Sequence, residues 1–98
     1  MQIPGLPEPQ LSRLASLLEP LREGRRLYVF GSRARGVWKR HSDIDILVEG
    51  EAPIPIELLA SVETAIAESD LSVSVDLVDA RRASPDFIDA IASELLAL

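Results

Sequence analysis

Ninety-eight residues, 47% of them hydrophobic, suffice for one domain around one core. The absence of cysteine excludes disulfides, thiolate zinc sites and cysteine nucleophiles. The net charge of −6 is unevenly spread: residues 22–41 carry seven Lys and Arg against Glu23 alone, and residues 42–98 have only Arg81 and Arg82 as cations. An acidic body repels a polyanion, so general nucleic-acid binding is not expected. The basic stretch reads either as a solvated loop or as the meeting place for a single triphosphate. No apolar run approaches the roughly 18–20 residues that span a bilayer, and the N-terminus lacks a charged-then-apolar signal pattern. A cytoplasmic protein without membrane attachment is the expectation.

In chain order, Pro4, Pro7 and Pro9 predict an extended, flexible lead-in over residues 1–9 of a single domain spanning 1–98. Leu11, Leu14, Leu18 and Leu21 recur at helical spacing, predicting an amphipathic helix over 10–19 that Pro20 ends. Leu27 to Phe30 is apolar on both alternating faces, as in a strand covered on both sides, and runs into Gly31-Ser32. Arg33 to Ser42 is a polar, basic loop with room for one helical turn. A second strand follows from Asp43 to Val48, with Ile44, Ile46 and Val48 on one face and Asp43, Asp45 and Leu47 on the other.

Gly50 and Pro53 mark a turn, and Pro55 opens a helix whose apolar stripe is Leu58, Leu59, Val62 and Ile66. Val73, Val75 and Leu77 alternate with polar residues in a third strand, which presents Asp76 on the opposite face. Ser84 caps a last helix, with Phe87, Ile88, Ile91, Leu95 and Leu96 as its buried side. The order predicts an α/β fold: a small sheet of three or slightly more strands packed with three to four helices. The helical crossover favours parallel pairing of strands two and three.

One spacing carries the chemistry: strand, Gly31-Ser32, ten residues, then Asp43-Ile44-Asp45 opening a strand. Aspartate is a poor strand former, and two such anions on one face repel, so their placement asks for a cation. If strand three lies beside strand two, Asp76 joins them. Three hard oxygen ligands suit Mg²⁺ or Mn²⁺, and a cluster of this kind can hold two ions about 3.5–4 Å apart. Asp43 and Asp45 would be shared ligands, with Asp76 beside the nucleophile. Gly31 lets the backbone approach a phosphate, Ser32 offers a hydroxyl and an N–H, and Arg33 and Arg35 could neutralise a triphosphate. These are the parts needed to transfer a nucleoside monophosphate from a nucleoside triphosphate.

The segments Gly31-Ser32-Arg33-Ala34-Arg35-Gly36, Ser42 to Val48 and Val75-Asp76-Leu77-Val78 resemble the minimal nucleotidyltransferases of the DNA polymerase beta superfamily. The resemblance covers most of Leu27 to Val78 and implies the nucleotidyltransferase fold with a mixed sheet, strands one and two antiparallel. It implies Gly31 and Ser32 as nucleotide contacts and Asp43, Asp45 and Asp76 as metal ligands. It further implies a helical HEPN-type partner, the protein acting as antitoxin by moving AMP from ATP to a tyrosine hydroxyl of that partner. The loop Val37-Trp38-Lys39-Arg40-His41 is more basic than in many relatives.

Two other functions fit the same residues: an antitoxin that occludes its partner by contact alone, and a nucleotidyltransferase for a small molecule such as an aminoglycoside. The short chain leaves no room for the second domain of larger relatives, which favours dependence on a partner, as a homo- or hetero-oligomer. His41 reads as an exposed loop residue, a general base or a phosphate contact, and Trp38 as a cover for the core edge or a base-stacking ring.

Overall fold

The computed structural model describes residues 2–98; Met1 lies outside the described residues. Its elements are α1 (Glu8–Leu18), β1 (Arg25–Phe30), α2 (Ser32–Arg35), β2 (Ile44–Gly50), α3 (Ile56–Ala67), β3 (Val75–Asp79), α4 (Pro85–Ile91) and β4 (Leu96–Ala97). Short 3₁₀ turns follow α1 at Glu19–Leu21 and α4 at Ala92–Glu94. The strands form one mixed sheet in the order β3-β2-β1-β4. β1 pairs antiparallel with β2 and β4, while β2 pairs parallel with β3 across the α3 crossover.

Strand alternation divides the core. Leu27 and Val29 of β1, with Ile44, Ile46 and Val48 of β2, face one way and meet Leu11, Leu14 and Leu18 of α1 and Val62 and Ile66 of α3. Leu14, Leu18, Leu21, Val29, Ile44 and Ile46 are fully buried there, the apolar stripes of two helices closing on one sheet face. The other face is thinly covered. Phe30, Leu47 and Ile91 are its buried apolar residues, with Tyr28, Val78, Ile88 and Leu95 packed around them. Half of this face is therefore left to polar side chains. Among the described residues no helix is long and apolar enough to cross a membrane.

Two expectations from the sequence are corrected. Of the segment expected as a lead-in over 1–9, Met1 lies outside the described residues and residues 2–9 are part of the packed domain. Ile3 is 3% exposed in the main core, Leu6 packs against it, and α1 already starts at Glu8, with Pro9 in its first turn. A proline is accommodated there because the first helical N–H groups have no intrahelical acceptor. The last helix is also shorter than its apolar stripe. It ends at Ile91, Phe87 and Leu96 are 38% and 39% exposed, and Leu96–Ala97 leave the helix to pair with β1 as β4.

Candidate active site

The two kinds of strand pairing bring three remote segments to one end of the sheet. Antiparallel pairing sets the end of β1 beside the start of β2, with Phe30 opposite Asp45. Parallel pairing sets the start of β3 beside the start of β2, with Asp45 opposite Asp76. Side chains alternate, so Asp45 and Asp76 stand on the same thinly covered face, and Asp43 precedes Asp45 by one strand period. Asp43 and Asp76 are exposed, whereas Asp45 is half-buried between them and Gly31.

Asp45 feels this crowding. Burial raises its pKa above the ordinary aspartate value, and the charges of Asp76, Asp43 and Glu94 raise it further; Arg35 acts in the opposite sense. A divalent cation is the charge such a face accommodates best, and carboxylate oxygens are the donors that Mg²⁺ and Mn²⁺ prefer. In chemical type and strand position the residues fit. Their carboxylates are not preconverged: among the described residues no group of three or more acidic or histidine side chains stands in metal-holding geometry. Backbone register makes the Cα positions of Asp45 and Asp76 neighbours, with Asp43 two residues before Asp45 at the mouth of β2, and side-chain rotamers set the remaining distances.

Gly31 has φ +81° and ψ −157°, a conformation that side-chain-bearing residues avoid. A Cβ added there would also press into the Asp45 carboxylate. Glycine is thus required twice, for the bend and for the approach to Asp45. Ser32 begins α2, and the turn closes through Arg35 N–H donating to Gly31 O at 3.0 Å and Val37 N–H to Ser32 O at 3.0 Å.

The two arginines of this turn part company. Arg35 lies beside Asp45 and donates to Glu94 at 3.1 Å. Arg33 is not brought to the site. It is 1% exposed, its Nε and one Nη donate to Ser42 O at 3.1 and 2.9 Å, and the other Nη donates to Pro4 O at 2.9 Å. Its guanidinium lies 5.6 Å from the centre of the Trp38 ring. Those donors fasten the basic loop and the N-terminal segment, so the expected triphosphate contact for Arg33 is withdrawn. Trp38 covers Arg33 and Gly5 at the core edge, and His41 is exposed.

One residue of the site has no signature in the sequence. Glu94, on the turn after α4, accepts hydrogen bonds from the Gly31 N–H and from Arg35. It lies 63 residues from Gly31, and no local motif marks it.

The family model described as "Polymerase beta, Nucleotidyltransferase" matches residues 13–97. The chain is 33% identical over 82 residues to "Probable protein adenylyltransferase MntA" of Haemophilus influenzae, a match covering 84% of this chain and 72% of that protein. Its fold is similar to a chain in the crystal structure of a toxin–antitoxin with AMP-PNP, with a TM-score of 0.71, 29% identity, and 94% and 72% of the two chains covered. It is also similar to a solved chain assigned as a minimal nucleotidyltransferase, with a TM-score of 0.68, 30% identity, and 93% and 94% covered.

Proposed function

The chain belongs to the polymerase beta nucleotidyltransferase family, and we propose that it transfers AMP from ATP to a hydroxyl of a partner protein, as the antitoxin of a toxin–antitoxin pair. The observation that carries this reading is the double register at Asp45, opposite Phe30 on one side and Asp76 on the other, with Gly31 against its carboxylate. A phosphate-approaching bend and three acidic residues thereby share one sheet end. The likeness to an adenylyltransferase and to a nucleotide-bearing toxin–antitoxin structure supports AMP as the group and a protein as the acceptor.

Asp43, Asp45 and Asp76 would hold two divalent cations, Mg²⁺ or Mn²⁺, which when bound supply positive charge to the phosphates and a more acidic acceptor hydroxyl. The chain's own residues do the rest by positioning. The Gly31 N–H and the Ser32 hydroxyl hold phosphate oxygens, and Arg35 balances the charge of the departing pyrophosphate. Asp76 is exposed at the sheet end, where it meets an acceptor arriving from solvent and takes the proton of its hydroxyl. The bond from acceptor oxygen to the α-phosphorus forms as the bond to the β-phosphate oxygen breaks.

The site lies open on a half-covered face, which suits a macromolecular acceptor. The partner implied by the resemblance is a helical HEPN-type protein. The test is transfer of labelled nucleotide from ATP to such a partner encoded beside this chain. Asp43→Asn and Asp45→Asn are each expected to lower the rate by at least about a hundredfold. Retained transfer in both variants defeats the proposal. Unimpaired neutralisation of the partner by both would assign the protein to occlusion instead of chemistry.

A further inference from the structure

Glu94 is a fourth carboxylate beside a face that already crowds three. It adds to the charge opposing ionisation of Asp45. Its position follows from its donors: its oxygens accept from the Gly31 N–H and from Arg35, at 3.1 Å for the nearer oxygen and 3.4 Å for the other, and its side chain is 14% exposed. A backbone N–H beside a guanidinium is an anion-binding pair, and carboxylate and phosphate present the same acceptor-only oxygens to it.

We propose that Glu94 occupies the seat of a nucleotide phosphate, and that the triphosphate binds by displacing this carboxylate from Gly31 and Arg35. The inference rests on the nucleotide-binding reading of the Gly31-Ser32 bend. Both ligands need the single Gly31 N–H, so one excludes the other there, while one Nη of Arg35 is already given to Glu94. The segment bearing Glu94 is held by few hydrogen bonds: a 3₁₀ turn leads into β4, two residues long, which pairs with β1 at Tyr28 and Val29, with Leu98 N–H donating to Leu27 O and Arg22 donating to Leu98 O at 3.3 Å, and with Leu95 and Leu98 packed at the core edges. Such an element opens at low cost. The exchange favours a highly charged triphosphate over weaker anions, since the incoming ligand must outbid a carboxylate. Return of Glu94 to its donors helps expel the pyrophosphate after transfer.

The test is calorimetric titration of the full chain with ATP, with and without Mg²⁺, for wild type, Glu94→Gln and Glu94→Ala, together with melting of each protein free of nucleotide. Glu94→Gln keeps the shape and removes the charge. Both variants are expected to bind ATP about tenfold more tightly while melting at lower temperature without it, because Gly31 and Arg35 lose a charged acceptor. Lower melting with unchanged or weaker ATP binding assigns Glu94 a purely structural role and overturns the proposal, leaving the nucleotide reading intact. Weaker binding by Glu94→Gln only when Mg²⁺ is present makes Glu94 a cation ligand and overturns it as well. Failure of wild type and both variants to bind ATP under either condition overturns the nucleotide reading and this inference with it.

Discussion

The Asp45 carboxyl is disfavoured as an anion first by burial and then by Asp76, Asp43 and Glu94, with Arg35 offsetting part of the effect. A carboxyl whose folded pKa lies above its unfolded value destabilises the fold when ionised, and protonation removes that cost. Metal-free Asp45→Asn protein should therefore melt above wild type at neutral pH. The difference should shrink as pH falls through the raised folded pKa of Asp45 and vanish below the unfolded value of about 3.9. Melting curves of both proteins between pH 8 and pH 3.5 check this, and a difference that grows towards acid contradicts it. Arg33 and Arg35 show what a single residue's neighbours decide. As cations two apart they look equivalent in sequence, yet on a helical turn two positions span roughly 200°, so they point to opposite sides. Arg33 goes inward to the Ser42 and Pro4 carbonyls, Arg35 outward to the site.

At the scale of elements, local signals placed most of the fold. The Gly-Ser bend and the Ser84-Pro85 helix start stand where their residue types predict, and the strand expected from Asp43 begins one residue later, at Ile44. Ser84 Oγ accepts from the Phe87 N–H at 3.2 Å, so Ser84→Ala should cost about 1 kcal/mol, read as a lower urea midpoint at unchanged slope. β4 was invisible for a physical reason. Two residues carry no period, and Phe87, Ile88, Ile91 and Leu95 continue a helical stripe up to it. What diverts the chain at Leu96 is the open edge of β1, at Tyr28 and Val29.

For the molecule as a whole, the main core and the candidate site lie on opposite sheet faces. α1 and α3 close one face over fully buried Leu14, Leu18 and Ile46, while α4 and the turn after it partly cover the face bearing the aspartates. Leu14→Ala should lower unfolding free energy by about 2–5 kcal/mol, and Ile91→Ala should fall at or below the low end of that range, because its surroundings can relax towards solvent. Equilibrium urea unfolding of the two variants measures the contrast. The chain's own order of residues determined the strand faces, the bend and the positions of Asp43, Asp45 and Asp76, because backbone alternation and glycine's freedom act over a few neighbouring residues. Tertiary packing alone decided that Arg33 is spent inside and that Glu94 reaches Gly31 across 63 residues. Contacts that distant are set by how helices and strands dock, and no local spacing encodes them.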